Sequence, residues 1–479
     1  MVENIDELFS TTKIAKELNI SRDELFEKLA KYGWIKKSDK YWELLEKGLK
    51  KGGKYYENEK SERWIVWPIS IISDTVIQSE FSSNIQVIEQ KESTKVRTER
   101  KFKLPGVQEL NKDQDKVLRL PEDGQFLIVG GPGTGKSVVA LLRALKYHEK
   151  NDYQFLVYNH VLNSATNQLI DIRLNSSTLK AWFYSIFYQL TNEYVPQVKE
   201  YTPNYDEIIK KFQSMDIKTK TLHLIIDEGQ DMPPKFYEAL MYTGVENFFI
   251  VADQNQQITK EHSSRQELTN QLGLDTKDVI ELNENYRNSN PIAMFAQYFF
   301  TDPSSPKPNL PPESKRSFGI PILYEYSDID ENIIFILRQA DSDPRNLIAI
   351  ITATDAQREI YYERLQTKDI NLDNPRSGIS TYSNKSKASV DIDFSIGGIV
   401  VLNDTSVKGL EFDIVFIVID GFKIYNNDTD SMKKRFYVMS SRAIKKLVLL
   451  KSIDNNTYDI LNILPNDENI LKRETTDNG

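Results

Sequence analysis

Phe126-Leu127-Ile128-Val129-Gly130-Gly131-Pro132-Gly133-Thr134-Gly135-Lys136-Ser137-Val138-Val139-Ala140-Leu141-Leu142 decides how this chain is read. The apolar run at its start predicts a buried parallel strand, and the run after Ser137 predicts a helix. Between them lies a glycine-rich loop of the kind that cradles nucleotide phosphates. Glycines let backbone N–H groups turn inward around phosphate oxygens, and the helix N-terminus adds partial positive charge at the same point. Gly131, Pro132, Gly133, Thr134, Gly135, Lys136 and Ser137 are therefore candidate nucleotide ligands. Lys136 is long enough to reach the β- and γ-phosphates, and the Ser137 hydroxyl suits Mg²⁺.

Working outward, strands are expected at 125–129, 155–158, 222–226 and 248–251, and again at 347–352, 399–402, 414–419 and 447–451. Each is a short, β-branched apolar run, and helical stretches alternate with them. The fold class that follows is α/β, with two parallel-sheet domains. The run Leu224-Ile225-Ile226-Asp227-Glu228 sets two carboxylates at the end of a strand. In an α/β sheet that end lies beside the phosphate loop. Asp227 is the candidate metal residue with Ser137, and Glu228 the candidate general base. Carboxylates cannot neutralise a transferring phosphoryl group, so cations from elsewhere are needed. Arg287 and Arg442 are the candidates.

The chain has 479 residues, 39% of them hydrophobic and 27% charged, as in globular proteins that hold several domains. No apolar run is long enough for a membrane span. The absence of cysteine excludes disulfides and thiol chemistry, and the four histidines are scattered. A cytoplasmic location is expected. The net charge of −9 argues against general stickiness for nucleic acid, though not against local basic grooves.

The expected domains are 1–71, a linker at 72–103, a first α/β domain at 104–275, a second at 276–453, and a polar, fraying tail at 454–479. In the first of these, two short helices joined by a turn, then strands around Trp42 and Trp64–Trp67, suggest a winged-helix-like α+β unit. Lys28, Lys31, Lys36, Lys37, Lys40, Lys47, Lys50, Lys51 and Lys54 make it locally basic, which fits either a DNA-binding module or a protein-interaction domain. Its four tryptophans, Trp34, Trp42, Trp64 and Trp67, are expected in a small core.

A set of blocks in order resembles superfamily 1 helicases of the UvrD/Rep type. They are Leu110–Gln114, 130–137, Val157–His160, Asp227–Asp231, Ala252–Gln256, Asn285–Arg287, Lys408–Asp413 and Tyr437–Ala443. The resemblance implies two RecA-like domains, ATP and Mg²⁺ as cofactors, and a nucleic-acid partner, single-stranded or partly duplex DNA. It also implies that Gln114 reads adenine, Gln256 senses the γ-phosphate and Glu411 lies near the nucleotide sugar. Relatives often follow the fifth block with a Tyr and a Trp that stack on bases; here the continuation is Ile258-Thr259-Lys260-Glu261-His262. The large insertions of full-size relatives are missing too. The expected function is an ATP-driven DNA helicase or translocase. The alternatives are a non-travelling ATPase switch bound to DNA or to a protein partner through residues 1–71, by analogy in defence against foreign DNA, and a regulator dominated by that N-terminal unit.

Overall fold

The computed structural model describes residues 8–17, 20–38, 41–57, 63–68, 71, 74, 77, 100, 104, 107–170, 172–200, 202–256, 262–301, 307–313, 319–383, 390–454 and 458–475. Most of the expected linker, and the continuation 257–261, lie outside them. The chain divides into two compact units, Met1–Arg97 and Thr98–Gly479.

The smaller unit is α+β. Strands β1 (Leu8–Ser10), β4 (Lys54–Glu57) and β5 (Arg63–Pro68) form an antiparallel sheet in the order β1-β5-β4, and β2 (Ile35–Lys37) pairs with β3 (Trp42–Leu44) as a hairpin. Helices Thr11–Glu17 and Arg22–Lys31 precede the hairpin. The Ser21 hydroxyl accepts from the Glu24 N–H at 3.1 Å and caps the second helix. Leu25, Phe26 and Leu29 bury its inner face against Trp34, Ile65 and Trp67. Only two tryptophans are core as expected: Trp34 and Trp67 are buried, Trp42 is half-buried, and Trp64 is exposed.

The larger unit holds two α/β lobes, each RecA-like in its parallel sheet flanked by helices. In the first, β6 (Gln125–Gly130), β7 (Tyr153–Val157), β8 (Ser176–Thr178), β11 (Lys220–Ile226), β12 (Val245–Ala252) and β13 (Val279–Leu282) form one sheet in the order β13-β6-β12-β11-β7-β8. The short strands β9 (Gln197–Lys199) and β10 (Thr202–Pro203) pair separately. In the second, β14 (Ile322–Tyr326), β15 (Leu347–Thr352), β16 (Ile379–Thr381), β17 (Gly398–Asn403), β18 (Phe412–Val418), β19 (Ala443–Ser452) and β20 (Lys472–Thr475) run in the order β16-β17-β15-β18-β19-β14-β20. Alternate residues serve opposite faces. Leu224 and Ile226 join one apolar cluster while Ile225 joins another, and Ile348 and Ile350 are likewise parted from Ala349 and Ile351. One cluster continues from the first lobe into the second, from Val139 and Leu162 to Leu410 and Phe436.

Two expectations on domain limits need correction. The first sheet continues past residue 275, because β13 pairs with β6 from Val279↔Leu127 to Leu282↔Gly130. The helix Asn290–Tyr298 then contacts β19 and the helix Thr429–Ser440, so the crossing between lobes lies at 283–289. Within the expected tail, residues 458–475 do not fray. Ile460, Leu464 and Leu471 are buried, and β20 pairs with β14 from Ile322↔Lys472 to Glu325↔Thr475. No helix among the described residues is long and apolar enough to cross a membrane.

Candidate nucleotide site between the two lobes

Parallel pairing brings the carboxyl ends of four strands to one edge. Ile226 lies opposite Ile250, Val129 opposite Ala252, and Gly130 opposite Leu282. The loop 130–137, Asp227-Glu228, Asp253 and the crossing 283–289 therefore all leave the first sheet together. Gly133 and Gly135 have φ of 74° and 86°. A side chain at Gly133 would collide with Asn285, and one at Gly135 with Gln114. The helix Lys136–Lys146 begins at that second glycine and aims its N-terminus into the cleft.

The cleft has a volume of about 290 Å³, and Gln114, Pro132, Gly133, Gly135, Lys136, Ser137, Glu228, Gln256, Arg287, Glu411 and Arg442 line it. Gly131 and Thr134 stand behind the loop rather than on the cleft wall. The Gly131 carbonyl accepts from Lys136 Nζ at 2.7 Å and from the Thr134 hydroxyl at 2.8 Å. Lys136 Nζ also lies 3.6 Å from Asp253. Burial lowers the Lys136 pKa, and Asp253 and Glu228 oppose that shift. Gln114 closes a capping box with Asn111 and donates to the Thr134 carbonyl at 3.0 Å. Its amide thus braces the phosphate loop.

Asp227 is buried at the end of β11. One carboxylate oxygen accepts the Glu228 N–H at 2.9 Å, while Oδ2 has no hydrogen-bond partner. Burial and the Glu228 charge raise its pKa to about 6, and the nearby Ser137 hydroxyl opposes the rise. A buried, unsatisfied carboxylate oxygen beside a serine hydroxyl fits a divalent cation whose remaining ligands are phosphate and water. Among the described residues no cluster of three metal-ligating side chains exists, so the protein alone offers no closed cage.

Glu228 adopts a left-handed conformation, with φ 57° and ψ 42°. That conformation is rare for a residue with a side chain, and here two surrounding contacts hold it. Gln230 Nε2 donates to Glu228 Oε2 at 2.6 Å, and Gln230 Oε1 accepts the Asp253 N–H at 2.9 Å. Burial pushes the Glu228 pKa up, but Lys408, Lys136 and Arg442 outweigh it, and the net direction is downward. The carboxylate is therefore held ionised.

The second lobe brings its cations to this edge. Arg442 follows the helix Thr429–Ser440 and precedes β19. Its Nε donates to the Val438 carbonyl at 2.9 Å, and its Nη2 donates to Gln256 Oε1 at 2.9 Å. Gln256 Nε2 in turn donates to Asp253 Oδ2 at 2.6 Å. A chain of contacts so joins Arg442, Gln256, Asp253 and Lys136. Arg287 Nε donates to Glu411 Oε1 at 2.7 Å, so Glu411 is engaged by an arginine. Burial, then the neighbouring Arg287, lower the Arg442 pKa to about 10, which leaves it charged at neutral pH.

Sequence reading assigned no role to four further residues, Lys408, Asp231, Asn285 and Asn288. Lys408 Nζ spans the lobes, donating to Asp231 Oδ1 at 2.6 Å and to the Gln256 carbonyl at 2.5 Å, with both charged groups almost fully buried. Burial raises the Asp231 pKa to about 7 against the pull of Lys408. Asn285 Oδ1 accepts the Arg287 and Asn288 N–H groups at 3.0 and 3.2 Å. Asn288 Nδ2 donates to the Ser441 and Ala443 carbonyls at 3.0 and 2.6 Å. All of these residues stand inside or beside the motif blocks, which was the available signal.

The family model of the Schlafen group 3 DNA/RNA helicase domain matches residues 124–471. The chain belongs to that family. Its two lobes are thus the helicase-like core of a Schlafen group 3 protein, and the N-terminal unit lies outside the match. Among solved structures, the C-terminal domain of a possible DNA helicase from Lactobacillus plantarum WCFS1 is similar at 16% identity and a TM-score of 0.27. That match covers 39% of this chain and 98% of the other. No protein of curated function matches.

Proposed function

We propose that this chain is an ATP-driven superfamily 1 helicase or translocase of the UvrD/Rep type that acts on DNA. What supports the reading is one cleft lined by a phosphate-loop lysine, a strand-end carboxylate, a glutamine and two arginines from different parts of the core. Family membership supports the nucleic-acid partner.

In this mechanism the N–H groups of 133–137 and Lys136 hold the β- and γ-phosphates. Ser137 and Asp227 hold magnesium, which supplies charge neutralisation when bound. Glu228, ionised and steadied by Gln230, orients the attacking water and takes its proton. Arg287 and Arg442 face the charge that grows on the transferring group. Gln256 touches both Asp253 and Arg442, so it ties the first lobe's phosphate side to the second lobe's cation. Gln114 acts through the loop carbonyl as well as toward the base.

The deciding experiment is steady-state ATP turnover with and without single-stranded DNA, duplex DNA and RNA at low salt. Turnover that rises with single-stranded DNA is expected; a rate indifferent to every nucleic acid overturns the motor. The switch reading draws on one sequence observation, the lack of a Tyr and a Trp in 257–262. Stacking contributes roughly 1–3 kcal/mol per base. Robust strand displacement eliminates the switch.

A further inference from the structure

At the crossing between the lobes, Asn288 has every polar atom of its side chain engaged. Its Oδ1 accepts from Asn285 Nδ2 at 2.9 Å, and its backbone N–H donates to Asn285 Oδ1 at 3.2 Å. Its Nδ2 donates to the Ser441 carbonyl at 3.0 Å and to the Ala443 carbonyl at 2.6 Å. Those carbonyls flank Arg442, whose own carbonyl accepts the Phe412 N–H at 3.0 Å. Three successive carbonyls around the arginine are therefore occupied, two of them by one side chain. Sheet pairing alone does not hold this stretch. β14 pairs with β19 only from Val448 onward, and the pairing with β18 shifts register between Phe412 and Ile414. Asn285 secures the other end. A side chain at Gly133 would collide with Asn285 Oδ1, and the Tyr286 N–H donates to the Gly133 carbonyl at 2.9 Å. Both asparagines are buried, which makes each of these bonds costly to lose.

We propose that Asn288 is the positioning residue for Arg442. It holds the backbone on either side of the arginine and refers it, through Asn285, to the phosphate loop, so that the guanidinium meets the transferring phosphoryl group in one orientation. The inference rests on the reading of the cleft as an ATP-hydrolysing site. The arrangement calls for a primary amide. Two carbonyls two residues apart need two donors at one point, and Asn285 Nδ2 needs an acceptor beside them; an asparagine side chain supplies all three. A serine hydroxyl has one proton to donate, and an aspartate has none. The Arg442 Nη2 also donates to Ser441 Oγ at 3.0 Å, so a shift of Ser441 moves the guanidinium as well as the backbone. A displacement of about 1 Å is felt in the transition state far more than in nucleotide binding.

Steady-state ATP turnover of the full chain, with substitutions at Asn288, tests the proposal. Asn288→Ala is expected to lower kcat about 10–10²-fold while KM stays within about twofold. Asn288→Ser, with one donor, should fall between Asn288→Ala and the unsubstituted chain. Asn288→Asp separates hydrogen bonding from the filling of space. It keeps the volume and loses both donors, so at pH 8 its kcat should be no higher than that of Asn288→Ala; a kcat near that of the unsubstituted chain overturns the proposal. In a chain that already carries Arg442→Ala, adding Asn288→Ala should change kcat by less than about twofold, because the arginine it positions is gone. Losses that multiply in full mark a merely structural role and overturn the proposal as well. So does an unchanged kcat in Asn288→Ala, or a rise in KM alone. Should Asn288→Ala not fold, as judged by circular dichroism, the order of Asn288→Ser above Asn288→Asp carries the same decision. The motor is judged separately. Turnover that no nucleic acid changes sinks the translocase and leaves the order of the Asn288 variants intact, whereas an unsubstituted chain with no turnover at all sinks both.

Discussion

The first lobe meets the cleft with the carboxyl ends of β6, β11, β12 and β13, whereas the second meets it with the amino ends of β18 and β19. The difference assigns their chemistry. A carboxyl edge leads into loops and helix N-termini, so the first lobe presents backbone N–H groups and strand-end acids to the cleft. The amino end of β19 follows a helix C-terminus, where cations are favoured, and Arg442 sits two residues past that end, Ser440. The second lobe brings the side chains of Lys408, Glu411 and Arg442 to this edge, with the backbone of Gly409 on the cleft wall. Two similar sheets differ in what they present because opposite edges are turned toward one cleft.

The sharpest way to break this contrast is Lys136→Ala, which removes the first lobe's grip on the phosphates. ATP binding and turnover should fall below detection in a nucleotide-binding assay and a phosphate-release assay. Glu228→Gln comes next. Nucleotide binding should persist while turnover drops by about 10²–10⁴-fold; normal turnover would show that another group handles the water. Arg442→Ala tests the second lobe, with turnover expected to fall about 10²–10³-fold at little cost in ATP affinity. An unaffected rate would reduce the second lobe to a scaffold. Lys408→Met probes the contact between lobes and also removes a cation that holds Glu228 ionised. It strands Asp231 without its buried partner, and a loss of about 3 kcal/mol is expected in denaturant unfolding. Because the Asp231 pKa is raised to about 7, the orphaned carboxyl can take up a proton. The loss should therefore be larger at pH 8 than at pH 6. The smallest effect is expected from Asn111→Ala, which removes the capping box and the 2.7 Å bond to the Tyr286 hydroxyl. About 1 kcal/mol should be lost.

The first lobe was far more legible in the sequence than the second. Its strands are apolar runs, and loop and acids lie directly at their ends, so local spacing already placed Lys136 beside Asp227. The partnership of Lys408 with Asp231 spans 177 residues, and no periodicity carries such a distance. Arg287 and Arg442 were singled out by chemical need and by resemblance, but nothing local could show that Gln256 would hold one and Glu411 the other. β13 was assigned to the wrong lobe because a four-residue strand gives hardly any alternation to read. β20, Lys-Arg-Glu-Thr, was missed for a plainer reason: it is a polar edge strand held by backbone pairing, so it leaves no apolar signature.

The crossing at 283–289 has a mechanical consequence. The Tyr286 N–H is bonded to the Gly133 carbonyl at 2.9 Å, while two residues later Asn288 is bonded to Ser441 and Ala443. Neighbouring residues are thus moored to different halves of the core, and a hinge between the halves must pass close to Arg287. Under the proposed motor, opening about that hinge keeps Arg287 beside the phosphate loop and breaks the contact of Arg442 with Gln256.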